Sequence, residues 1–111
     1  MSTTVTFSNI KCTVNKQEYV RSQQIALQLT ASENQIVELE GMEPYDVYQG
    51  EPVCTATIAA PNAKLADDET VIKTFESPEI LKVLLEAGIV KNTGNSVQIG
   101  FTNCPVVQVT M

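Results

Sequence analysis

Three sets of side chains in this chain are of types that do chemistry. They are the spaced carboxylates Glu38, Glu40, Glu43 and Asp46, the acidic run Asp67-Asp68-Glu69, and the thiols of Cys12, Cys54 and Cys104. A carboxylate pair can act as general acid and base in glycoside hydrolysis, but it needs a cleft and aromatic sugar platforms, and the chain has no tryptophan. Asp67-Asp68-Glu69 offers hard oxygen ligands to Mg²⁺ or Ca²⁺, yet it lacks the D-x-D-x-D-G spacing of a calcium loop and reads as a solvated charge run. The chain contains no histidine, which excludes Ser–His and Cys–His nucleophilic catalysis. There is also no C-x-x-C spacing for a zinc site. The cysteines are odd in number, far apart, and each lies in a strand-like run. They read as reduced thiols filling core space. No catalytic, cofactor-binding or metal-ligating residue is therefore expected, and the protein is not expected to be an enzyme.

Composition narrows the remaining classes. The 111 residues suffice for one β-rich domain, 1–111, around a single core. Thirteen acidic side chains against seven basic ones give a net charge of −6, and no two of the cations are adjacent. Nucleic-acid affinity is built mainly on Lys and Arg, so a protein that grips DNA is not expected. No apolar run approaches the roughly 18–20 residues that span a bilayer. The amino-terminal MSTTVTF lacks the basic flank and apolar stretch of a secretory signal.

The elements that must position these residues are mostly strands. Val5 and Phe7, then Ile10, Cys12 and Val14, alternate with polar residues, and the change of parity suggests a bulge or bend at Ser8-Asn9. Asn15-Lys16-Gln17 suits a turn into a second strand, Glu18 to Thr30, in which Ile25, Leu27 and Leu29 form one face. A strand Ile36 to Glu40 follows. Val37 and Leu39 share one face, while Ile36, Glu38 and Glu40 share the other. Met42 to Pro52 has no period, and Pro44 and Pro52 bar it from a central strand, so it reads as a structured loop or edge excursion. Tyr45 and Tyr48 either anchor that loop on the sheet or mark an interface, since tyrosine joins apolar area to a polar tip. Val53 to Ala60 reads as a strand, and Asn62 to Thr74 is undecided between strand and loop.

Ser77-Pro78-Glu79 is a helix start and Gly88 a helix stop. One α-helix is thus expected over about residues 77–88, with Leu81, Leu84 and Leu85 on its apolar face, widened by Ile80, Val83 and Ala87. Lys91 to Ser96 (KNTGNS) is turn chemistry, Val97, Ile99 and Phe101 alternate into a strand, Pro105 breaks it, and Val106 to Met111 forms the last. The fold class is mainly β: an antiparallel β sandwich or barrel whose single α-helix plugs an end or a face.

This order resembles the tube proteins of bacteriophage tails and related contractile injection machines, including the ring-forming tube protein of type VI secretion. The residues that carry the likeness are SQQIALQLTA, then NQIVELEG, then the P-Y-x-x-x-x-G turn in EPYDVYQGEPVCTATI, then the helix ESPEILKVLLEAG and two closing strands. The resemblance implies a β sandwich or barrel with one flanking helix, assembled as a homo-oligomer of stacked hexameric rings in a virion, built in the host cytoplasm. It implies other tail proteins as partners, no catalytic residues, no cofactor, no membrane, and DNA that passes without being bound. Glu38 and Glu40, alternating off the Val37–Leu39 core face, are the candidates for lining such a lumen, and Tyr45 and Tyr48 for an interface. The chain is shorter than most of that family. A neighbouring role in the neck, the baseplate or capsid decoration is therefore the alternative, followed by a small non-catalytic β binding module.

Overall fold

The structure, a computed structural model, describes residues 4–20 and 22–111. Met1 to Thr3, inside the amino-terminal stretch, and Arg21, inside the expected Glu18–Thr30 strand, lie outside the described residues. Among the described residues the chain forms eight strands, one helix and two further strands. The strands are β1 (Thr4–Phe7), β2 (Ile10–Glu18), β3 (Ile25–Ala31), β4 (Gln35–Val37), β5 (Tyr45–Val47), β6 (Pro52–Thr55), β7 (Thr57–Ile58) and β8 (Glu69–Ile72). After the helix α1 (Glu79–Glu86) come β9 (Val90–Ile99) and β10 (Thr102–Val109). The fold is mainly β and antiparallel throughout, as expected.

Two four-stranded sheets, ordered β1-β2-β3-β6 and β7-β8-β10-β9, face each other across the core, and β4 and β5 form a separate two-stranded ribbon. The principal core gathers inward side chains from both sheets, including Val14, Leu27, Leu29, Ile72 and Val107, together with Ile80 and Leu84 of the helix. A smaller cluster of Ala60, Val71, Cys104 and Val106 lies beside it.

The sandwich has two open sides, and they are closed differently. On one, the chain leaves β6 and enters β7 at Ala56, whose N–H donates to Leu27 O at 2.8 Å while its carbonyl accepts from Lys73 N at 3.0 Å. Two buried threonines complete this join. Thr57 Oγ1 accepts from Leu27 N at 3.2 Å and shares a 2.9 Å bond with Tyr19 Oη, and Thr70 Oγ1 donates to Ile25 O at 2.6 Å. Each buried hydroxyl is thereby satisfied, which the low-dielectric interior demands. On the other side α1 packs between the edge strands β1 and β9. Ile80 and Leu84 are buried there, Leu81 and Val83 are partly so, and Leu85 is exposed. The apolar face is therefore centred one position earlier than the Leu81–Leu84–Leu85 reading.

Several element boundaries differ from the sequence expectation. Ser8 and Asn9 have φ of 52° and 62°, and Phe7 pairs with Ile10, so they are the two-residue turn of a β1–β2 hairpin rather than a bulge. Asn15 to Gln17 continue β2; the reversal falls at residues 19–24, closed by Tyr19 N donating to Gln24 O at 2.8 Å. Strand Val53–Ala60 is split at Ala56 because the chain changes sheets there. Part of the undecided Asn62–Thr74 segment is strand β8. KNTGNS lies within β9 as a bulge: Ser96 pairs with Pro105 and Asn92 with Val107, and Gly94 takes φ +83° between them. Pro105 does not end β10, because the missing N–H falls where the bulge already interrupts the ladder. Phe101 sits at the β9–β10 hairpin tip and not in a strand.

Candidate assembly surface

The β4–β5 ribbon is an excursion between the paired strands β3 and β6. Its base is pinched where the chain leaves and returns: Ala31 N donates to Glu51 O at 2.9 Å, and Gly50 N donates to Ala31 O at 2.8 Å. Gln35 mimics a peptide group against β2, accepting from Lys11 N at 2.8 Å and donating to Lys11 O at 3.0 Å. Asn9 Nδ2, in the β1–β2 turn, donates to Glu38 O at 2.9 Å. These bonds hold the ribbon at the end of the sandwich where β2 begins.

The pairing fixes its two faces. Gln35 opposes Val47 and Val37 opposes Tyr45 on one face, while Ile36 opposes Asp46 on the other. Val37 and Val47 are buried in the principal core at 0% and 5% exposure. Ile36 and Asp46 point away, with Tyr48 of the same parity just beyond. The expected strand Ile36–Glu40 is shorter than predicted, ending at Val37. Leu39 still packs against the core, but Glu38 and Glu40 fall in the β4–β5 connection, both exposed. Tyr45 and Tyr48 are 39% and 57% exposed, Tyr45 on the face of Val37 and Tyr48 on the outer face, and Val47 is the buried side chain of the segment.

All four candidate residues thus belong to one ribbon, and the structure adds Ile36 and Met42, at 66% and 59% exposure. Ile36 and Tyr48 project from the outer face, Met42 lies in the connection, and Tyr45, on the face of Val37, is half-buried. The charge around them is equally one-sided. Residues 32–51 hold six carboxylates (Glu33, Glu38, Glu40, Glu43, Asp46, Glu51) and no Lys or Arg. Since the chain has thirteen carboxylates and seven cations, everything outside the ribbon balances at seven of each. Among the described residues only Glu33 of the six forms an ion pair, with Lys11 at 3.7 Å. The signal for this was available in the sequence as the run from Ser22 to Ala63 without a single cation.

The other candidate groups do not converge. In the acidic run, Asp68 accepts from Gln108 Nε2 of β10 at 2.7 Å and Glu69 Oε1 accepts from Ala66 N at 2.9 Å, so one carboxylate ties the loop to β10 and another braces the loop itself. Among the described residues no group of three or more His, Cys, Asp or Glu side chains is placed to hold a metal ion. The three cysteines are free. Burial pushes the Cys12 thiol up to about 11, with the neighbouring Cys54 adding to the effect. Burial also raises Cys54 and Cys104. Such thiols are protonated at neutral pH and poor nucleophiles. No protein-family model matches the chain, and no curated protein or solved structure matches it either.

Proposed function

We propose that this chain is a non-catalytic structural subunit that self-assembles, a tail tube subunit of the bacteriophage kind whose stacked rings form a conduit for DNA in a virion. The observation that carries the reading is the ribbon: Ile36, Met42 and Tyr48 stand exposed on an element that is itself anchored in the core. Large apolar side chains exposed on an element anchored in the core suit a surface that a partner covers. The acidity suits the conduit. The Glu38–Glu40–Glu43 side of the ribbon, turned toward a lumen, repels phosphates over about 8 Å at physiological ionic strength, so cargo passes without the friction of Lys–phosphate contacts.

Size-exclusion chromatography with light scattering, followed by negative-stain imaging, tests the proposal. Rings or tubes that bind no duplex DNA at moderate salt are the expected result, equally with and without reductant. A monomer at every concentration, or assemblies that bind duplex DNA, would overturn it.

A further inference from the structure

We infer that two copies of this chain can exchange halves at Ala56, the carboxy-terminal sheet of one closing on the amino-terminal sheet of the other. The fold is built as two successive pieces. Every strand of the β1-β2-β3-β6 sheet and of the ribbon comes from residues 4–55, and every strand of the β7-β8-β10-β9 sheet, with α1, from residues 57–109. Each strand pairing therefore lies within one piece. Among the described residues the ion pairs do as well, Lys11–Glu33 in the first and Lys73–Glu76 and Lys82–Glu86 in the second.

The pieces meet as two separate chains would. Leu27 and Leu29 from the first and Ile72, Leu84 and Val107 from the second share the principal core, all at 0% exposure. The side-chain bonds between the pieces gather near the join. Gln24 exchanges two with the Ala60 backbone, both at 2.7 Å, and Thr57 and Thr70 make those to Leu27, Tyr19 and Ile25. An apolar centre with a polar margin is the anatomy of an interface between chains. A second copy is the partner that fits it, because it presents the same surface to the same piece.

The join is a single residue. Ala56 stands between β6 and β7, its N–H bonded to Leu27 O and its carbonyl to Lys73 N. Straightening it releases at most these two bonds and leaves the ladders of both pieces intact. What favours the closed chain is proximity, since a short tether holds its ends at a millimolar effective concentration. Copies packed side by side in an assembly compete at similar concentration. Exchange then ties neighbours together by their own chains without any new surface.

The test breaks one piece in each of two full chains. Leu27→Asp with Leu29→Asp buries two charges in the first piece, and Val71→Asp with Val107→Asp buries two in the second. Unpaired core charges exceed the marginal stability of a domain, so each variant alone should be unfolded by circular dichroism. Where one retains structure, Val14→Asp or Ile72→Asp is added to the same piece. Refolded together from urea in equal amounts, the two variants hold one intact copy of each piece on different chains. Sedimentation velocity should then show a complex of two chains, with about half of the parent's strand signal and a cooperative melt, as reciprocal exchange requires. The result stands apart from whether the parent forms rings. A mixture that stays as unfolded as its components would overturn the exchange.

Discussion

The helix α1 and the β4–β5 ribbon do the same work on the inside of this molecule and opposite work on the outside. Each lies over the principal core: α1 buries Ile80 and Leu84 at 2% and 0% exposure, the ribbon Val37 and Val47 at 0% and 5%. Outward, α1 and its flanks carry Lys73, Lys82 and Lys91 against Glu76, Glu79 and Glu86. Two of these pairs are formed, Lys73–Glu76 at 3.1 Å and Lys82–Glu86 at 4.0 Å. Over the same stretch the exposed large apolar side chains are Leu85 at 36% and Phe75 at 45%. The ribbon carries six carboxylates without a cation, and Ile36, Met42 and Tyr48 stand exposed away from its core face. Stability of the isolated fold asks only that the inner faces be apolar. The outer face of α1 has no further purpose to explain, whereas that of the ribbon costs solubility and repulsion unless a partner covers it.

Core substitutions give the largest effects and test the shared half of this comparison. Leu84→Ala should lower unfolding free energy by about 2–5 kcal/mol, read from a urea denaturation midpoint. An unchanged midpoint would make α1 a surface attachment. Val37→Ala removes two methyl groups, each about 0.8 kcal/mol, and leaves a small cavity, so about 2 kcal/mol is expected from the same measurement. A negligible cost would mean that the ribbon is a loose flap, and the parallel with the helix would fail.

Substitutions on the outer faces test the difference. Tyr48→Ser on the ribbon and Leu85→Ser on the helix should each change stability by less than about 0.5 kcal/mol, as exposed positions do. They should part company in assembly: light scattering should show weakened association for the ribbon variant and parental behaviour for the helix variant. Equal loss in both would mean that the helix face is also covered by a partner.

Much of this was readable from residue pattern, and the failures have physical causes. The period of Ile25, Leu27 and Leu29 pointed to β3 and its buried face directly, and Ser77 to Gly88 bracketed the helix, which runs Glu79–Glu86 with Pro78 rather than Ser77 at its N-cap and no side-chain cap bond. The β9 bulge was misread because Gly94 and its asparagine neighbours carry turn chemistry that a bulged strand also uses; only Val106, bonded through its carbonyl to Thr93 Oγ1 at 2.7 Å, distinguishes the two. The β4–β5 ribbon was half legible. Ile36, Glu38 and Glu40 were placed off the core face, but three-residue strands carry too little period to show that Tyr45 to Val47 pairs back on them. The exposure of Val20 and Phe101 gave no signal, since an isolated apolar residue beside a turn resembles a core residue until the fold shows what it faces.

The smallest expected effect is also the most direct probe of the charge difference, because its sign should reverse between the two elements. Glu79 sits in the first turn of α1 and its carboxylate accepts from Ser77 Oγ at 2.9 Å. A negative charge there is favoured by the positive end of the helix dipole, so Glu79→Gln should destabilise by roughly 0.3–1 kcal/mol. Glu38 and Glu40 have no ion-pair partner among the described residues and sit among carboxylates of like sign. Neutralising both with Glu38→Gln and Glu40→Gln relieves repulsion and should stabilise the chain by a few tenths of a kcal/mol, the scale of exposed charge interactions. Both effects should be clearest near 10 mM ionic strength, where the screening length is about 30 Å, and should fade at 1 M, where it is about 3 Å. A ribbon variant that loses stability as the helix variant does would reveal a cation acting on these carboxylates. The ribbon would then be electrostatically satisfied within its own chain, and its acidity would no longer call for a neighbour.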